Sequence, residues 1–152
     1  MPAGSDGATV SLPHTWRPFG VRMAGAVLGG GLFLVCALTW VGFDAETQAK
    51  FTVFQRGTVV AIGLGAFLLG FALTRSRVVA EPDRLEVVNG YKRREYDWAQ
   101  IVAIRLPAGA PWVTLDLADG TTAAAMGIQG SDGDRSRRAV RDLRTLLAER
   151  AA

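Results

Sequence analysis

Two runs without a single charged residue, Met23 to Phe43 and Gly57 to Thr74, constrain this chain more than any other feature in it. At about 1.5 Å of rise per helical residue they extend roughly 31 Å and 27 Å, against a bilayer hydrocarbon core of about 30 Å. Each reads as a membrane-spanning helix, and residues 44–56 between them read as the outer loop of a hairpin covering residues 21–74. The first run is longer than the apolar core of a secretory signal, and a second candidate span follows closely, so a retained hairpin is expected. About fifty residues are committed to lipid, which leaves room for one small water-soluble core, in residues 75–150. Residues 1–20, rich in Pro, Gly, Ser and Thr, read as a flexible tail ending in an interfacial anchor of Trp16, Arg17 and Phe19.

Charge sets the expected orientation. The loop between the runs carries Lys50 and Arg56, whereas the flanks carry Arg17, Arg22, Arg75, Arg77, Arg84, Lys92, Arg93 and Arg94. By the positive-inside rule, both termini lie in the cytoplasm of a multi-pass protein of the cell membrane. Within the runs, Gly25 with Gly29, Ala61 with Gly65 and Ala66 with Gly70 form small-xxx-small pairs, which let helix backbones approach closely. The plainer expectation is that the two helices pack on each other through these faces. The sharper one is a contact with another chain.

Beyond Arg75 the period shortens from helix to strand. Arg77 to Glu81 is a β-branched run stopped by Pro82, and Arg84 to Asn89 alternates Leu85 and Val87 against Arg84 and Glu86. Asn89 and Gly90 carry a hairpin signal, followed by Tyr91 to Asp97 as the return strand. A kink at Trp98 to Gln100 precedes strands at Ile101 to Leu106, Trp112 to Leu117 and Thr121 to Met126, the last two joined through Asp119 and Gly120. Gly127 to Asp134 reads as a polar loop. A helix from about Arg135 to Arg150 follows, with Ala139, Val140, Leu143, Leu146 and Leu147 on one stripe and arginines opposite. Strands first and one amphipathic helix last point to a small, partly open antiparallel barrel with a helical cover.

Catalysis finds little support in these residues. The single histidine, His14, stands in the expected tail, and the single cysteine, Cys36, stands inside the first apolar run, so neither has a partner for nucleophilic chemistry. One cysteine also excludes an intrachain disulfide. Asp116 with Asp119, and Asp132 with Asp134, occupy turn and capping positions, and Asp132-Gly133-Asp134 lacks the remaining ligands of a calcium loop. No enzyme activity, metal or cofactor is expected. Lys92, Arg93 and Arg94 form a basic cluster with no stacking aromatics between them, which disfavours nucleic acid and leaves anionic headgroups as candidate contacts.

The two-span front, the Arg77 to Asn89 strand pair, the Trp98-Ala99-Gln100-Ile101 kink, the Leu117-Ala118-Asp119-Gly120-Thr121 turn and the Gln129 to Leu147 loop and helix occur in an order that resembles a known group. They resemble the bacterial pleckstrin-homology-like membrane proteins, in particular those similar to low molecular weight protein antigen 6, over about residues 20–150. The resemblance implies a membrane α-helical hairpin of two transmembrane helices carrying a β-rich pleckstrin-homology-like domain. That domain would be two orthogonal antiparallel sheets closed by a C-terminal capping helix. It implies no enzyme activity. The functional expectation is a membrane-anchored interaction or adapter module that binds a protein partner on the cytoplasmic face. The alternative expectation is a domain sensing anionic lipid through Lys92, Arg93 and Arg94.

Overall fold

The computed structural model of the chain describes residues 10–150. Two of its helices are long and apolar enough to cross a membrane: α1, Phe19–Gly42, and α3, Val53–Arg75. Their lengths are roughly 36 Å and 35 Å at helical rise. α1 passes through a π-helical stretch at Gly25–Gly29, and no residue of either helix is buried by the protein. Between them lies α2, Ala45–Lys50, whose N-cap Asp44 accepts a hydrogen bond from the Thr47 amide at 2.7 Å. α3 begins at Val53 rather than Gly57 because Thr52 and Gln55 form a reciprocal capping box that sets the start.

The helices meet at their domain ends, through Phe19–Gly29 of α1. At the other end Arg56 ties the loop, donating to the Gln48 carbonyl at 2.6 Å and lying 5.2 Å from the Trp40 ring centroid. Of the small residues expected to pack the helices on each other, Gly25 is the one with a neighbour on the other helix. The Cβ position of Gly25 has only Thr74 Cγ2 near it, at 3.7 Å, and nothing lies within 4 Å of Gly29, Gly65 or Gly70. Ala61 and Ala66 are exposed as well. Each helix is fixed at its domain end by a separate contact, described below.

Seven strands form two antiparallel sheets. The first has the order β1 (His14–Trp16), β2 (Arg77–Ala80), β3 (Arg84–Asn89), β4 (Lys92–Asp97), and the second has β5 (Ile101–Arg105), β6 (Trp112–Leu117), β7 (Thr122–Gln129). Alternation works as expected in β2 and β6, where Val78, Ala80, Val113 and Leu115 are fully buried. The C-terminal helix α4, Asp134–Arg150, packs Ala139, Val140, Leu143 and Leu146 into the same core, against β5 and β7. Trp98 closes the kink between the sheets, 3% exposed, with its indole donating to the Glu81 carbonyl at 3.0 Å.

Two elements differ from the sequence reading. The tail of residues 1–20 is structured where it is described: Trp16 pairs with Val78 and His14 with Ala80, and Val10, Leu12 and Trp16 pack on the core. Residues 1–9 of that expected tail lie outside the described residues. A three-residue strand is too short to display a period, so its partner in β2 decides its structure. β7 runs on through Gly127 to Gln129, where a loop was expected. Gly127 is there for close approach: a Cβ would sit 2.5 Å from the backbone carbon of Arg77, so only glycine lets β7 pass β2.

The topology that follows is a sheet interrupted by the hairpin. β1 precedes α1 and β2 follows α3, yet the two are hydrogen-bonded neighbours. The helical hairpin is thus the connection between the first two strands of the domain, not a leader placed before it.

Candidate functional site

The β3–β4 turn is built by the register Asn89↔Lys92, which leaves Gly90 and Tyr91 as its two central residues. Gly90 adopts φ 61, the conformation that a tight hairpin needs at this position. Asn89 was read as part of the turn, but its side chain links the two sheets. Its amide donates to the Ala124 carbonyl at 2.6 Å, and its carbonyl accepts from the Met126 amide at 2.9 Å.

The turn lies on α3. The Tyr91 hydroxyl donates to the Leu68 carbonyl at 2.9 Å, the Gly90 amide donates to Ser76 Oγ at 3.0 Å, and the Arg75 guanidinium stands 5.8 Å from the Tyr91 ring centroid and 5.9 Å from that of Phe71. Leu68 is seven residues before Arg75, so the tip of the hairpin reaches about 10 Å back along the helix. A Cβ on Gly90 would lie 3.4 Å from Ala72 Cβ, so the turn and the helix are in close contact.

α1 is fixed by different chemistry. Its first amides, Phe19 and Gly20, donate to the two carboxylate oxygens of Asp132 at 3.0 and 2.9 Å. Asp132 belongs to the 3-10 turn before α4 and supplies the negative charge that the start of a helix favours. Arg135, one turn on, lies 4.2 Å from the Phe19 ring centroid. Neither anchor was found from sequence, because its partners are far apart in the chain and one of them is a backbone group.

The basic cluster divides. Lys92 and Arg94 are on one face of β4, and Arg93 is on the other, as strand alternation requires. Arg93 is occupied: it pairs with Glu86 at 2.8 Å and with Glu95 at 2.7 Å. Glu86 is 5% exposed and also binds Arg77 at 3.0 Å, so its two oxygens serve two arginines. Lys92 and Arg94 have no carboxylate within salt-bridge distance among the described residues. They border an open groove of about 340 Å³ between the end of α3, the β3–β4 hairpin and β7. Ala72, Leu73, Thr122 and Met126 are among the residues that line it, and the lining contains no acidic residue. Among the described residues no group of three His, Cys, Asp or Glu side chains is placed to hold a metal ion.

The family described as Bacterial PH domain matches residues 75–146, which are β2 through most of α4. Uncharacterised proteins of Mycobacterium tuberculosis and Mycobacterium bovis are 32% identical over 154 residues, covering 96% of this chain and 92% of each relative. Over residues 75–146 the chain belongs to the bacterial PH domain family. The match begins after the helical hairpin and so leaves out β1, whereas the mycobacterial relatives align along nearly the whole chain, hairpin included. The narrower likeness to low molecular weight protein antigen 6 is carried neither by the family description nor by the relatives' names. No solved structure matches the chain.

Proposed function

We propose that this protein is a non-catalytic, membrane-anchored PH-like interaction module whose hairpin holds the domain flush against the cytoplasmic face of the cell membrane. One observation carries the reading: the Tyr91 hydroxyl bonds to the Leu68 carbonyl, about 10 Å inside the end of a helix long enough to span. With α3 across a bilayer, the β3–β4 turn sits in the interfacial layer, where tyrosine is favoured, and Lys92 and Arg94 stand at headgroup level. The module then works by contact with anionic headgroups, and the pairing of Arg93 with Glu86 removes it from that role.

Headgroup quenching tests this in the full chain carrying Cys36→Ala. A fluorophore on Thr122→Cys, beside the groove, is quenched by nitroxide-headgroup lipid, while one on Asp83→Cys, at the far end of β3, is not. Equal quenching at the two positions contradicts the reading.

A protein-partner reading keeps one supporting observation, that β4 has a hydrogen-bonded neighbour on one side only. An extended peptide can add to such an edge. The edge carries Lys92, Arg93, Arg94 and Glu95, and charged side chains blunt strand addition. The partner that fits is therefore acidic. Capture of a protein by the full chain but not by the hairpin alone supports this second reading.

A further inference from the structure

We infer that the helical hairpin is built for a thin bilayer, with a hydrocarbon core of about 20 Å between its polar boundaries against about 30 Å in a typical membrane. The lipid it selects is set by acyl chain length, and short chains fit it best. The inference rests on the membrane-apposed reading above and adds a length to it.

Arg56 and Trp40 fix the outer boundary. The guanidinium lies 5.2 Å from the Trp40 ring centroid and donates to the Gln48 carbonyl of the loop at 2.6 Å, so its charge is held at the outer ends of both helices. Tryptophan suits that interfacial level. The inner boundary lies short of Thr74, the last uncharged residue of α3. The Tyr91 hydroxyl bonds to the Leu68 carbonyl, and Lys92 follows Tyr91 directly, so a charged turn occupies the depth of Leu68. The Arg75 guanidinium also turns back along the helix, standing 5.9 Å from the Phe71 ring centroid and 5.8 Å from that of Tyr91. A boundary at Thr74 would put that cation about one helical turn inside hydrocarbon, where charge is costly. A boundary at Leu68 to Phe71 leaves both groups at headgroup level. From Arg56 the span is then about 18 Å to Leu68 and about 22 Å to Phe71 at helical rise.

α1 agrees with this level. Its Gly25 stands beside Thr74, with 3.7 Å between the glycine's Cβ position and Thr74 Cγ2. The two helices run in opposite directions, so the part of α1 level with Leu68 to Thr74 is about Gly25 to Gly31. That stretch contains Gly25, Gly29, Gly30 and Gly31, and Gly25–Gly29 is π-helical. Glycines leave a helix backbone uncovered by side chains, and hydrocarbon offers such a backbone no hydrogen-bonding partner, whereas the interfacial layer does. A core of typical thickness submerges this stretch, and a core of about 20 Å leaves it at the surface. Around a thicker bilayer the lipid must compress or the hairpin must tilt, and either adds free energy with each ångström of mismatch. The chain therefore gathers where the membrane is thin.

The test uses the full chain in phosphatidylcholine bilayers whose acyl chains lengthen from dimyristoleoyl through dipalmitoleoyl and dioleoyl to dierucoyl, each mixed with brominated dioleoyl phosphatidylcholine. Bromine quenches the emission of Trp40, exposed near the outer end of α1, so recovered emission measures how well the unbrominated lipid competes for the hairpin. The headgroup is the same throughout, which leaves chain length as the variable. Dimyristoleoyl or dipalmitoleoyl lipid is expected to compete best, about threefold ahead of dioleoyl, in keeping with modest mismatch costs. Equal competition along the series, or an optimum at dioleoyl or longer, overturns the inference. Tyr91→Ala, which frees the turn from Leu68, is expected to move the optimum to a longer chain. An unmoved optimum in that variant, with its circular dichroism matching the parent chain, overturns the inner boundary drawn here, and the parent series decides alone where the variant does not fold. An optimum at dioleoyl with the Thr122→Cys fluorophore still quenched by headgroup nitroxide leaves the membrane-apposed reading standing, whereas loss of that quenching removes both.

Discussion

Glu86 shows how a residue that looks like ordinary surface acid holds a strand in place. Its position on the polar side of the β3 alternation suggests solvent, yet it is nearly buried between Arg77 and Arg93. The carboxylate is shielded, whereas the side chains of both arginines remain partly exposed. Removing the acid strands two cations against a largely desolvated site. Glu86→Ala is expected to cost about 2 kcal/mol, below the range for fully buried pairs because each arginine is partly solvated. A thermal melt of the full chain in detergent checks it, and an unchanged midpoint refutes the role. Arg93→Glu is expected to lower the midpoint similarly, so charge reversal there reads folding rather than headgroup contact. Gly127 makes a second residue-scale case: Gly127→Ala forces β7 away from β2 and is expected to cost about 3 kcal/mol or more, the upper end of overpacking effects. The strand period alone separates Arg93 from Lys92 and Arg94, so that division was legible in the sequence. The burial of Glu86 and the crowding at Gly127 were not, because each depends on a neighbouring strand whose register no local pattern encodes.

At the scale of elements, the strongly periodic pieces were the legible ones. β2, β3, β6 and α4 lie within a residue of their expected bounds, and the Trp98–Gln100 kink falls where it was expected. β1 was missed because His14-Thr15-Trp16 has no period to show and because the hairpin separates it from its partner. Its place in the sheet predicts that residues 75–152 alone are incomplete, with the β2 edge uncovered beside Val78 and Ala80. That fragment is expected to aggregate or melt early. Residues 10–17 joined through a short Gly-containing turn to residues 76–150 restore the β1–β2 hairpin and give a soluble, cooperatively melting domain by circular dichroism. Equal stability of the two forms would show that β1 contributes nothing. The short helix α2 carries a pH dependence of its own. Hydrogen bonds from the Thr47 amide and hydroxyl hold the Asp44 carboxyl below its ordinary value. A depressed carboxylate stabilises the cap above its unfolded pKa and loses that stabilisation as pH falls through the folded one. Amide exchange at Thr47 is therefore expected to quicken, relative to its neighbours, as pH falls below about 4. Asp44→Asn, which keeps a capping oxygen without a titration, abolishes the change.

For the whole molecule, β1–β2 pairing settles a question that charge counting addresses only indirectly. Residues before α1 and residues after α3 belong to one sheet, so if α1 and α3 span a bilayer, the two flanks lie on the same side of it whatever their charges. The hairpin geometry itself was legible from two uncharged runs. The separation of its helices was not, because small-xxx-small spacing looks the same whether it faces a partner helix or lipid. The two domain anchors act at separate places: Asp132 holds the start of α1, and Tyr91 and Ser76 hold the end of α3. By the positive-inside rule, the excess of arginine on the domain flanks predicts a cytoplasmic domain. In intact cells expressing the Cys36→Ala chain, Glu46→Cys is expected to react with a membrane-impermeant maleimide, and Asp83→Cys only after lysis. The opposite pattern would keep the hairpin and invert it. Reaction of both positions in intact cells, or of neither, would be incompatible with two spans joining neighbouring strands of one sheet.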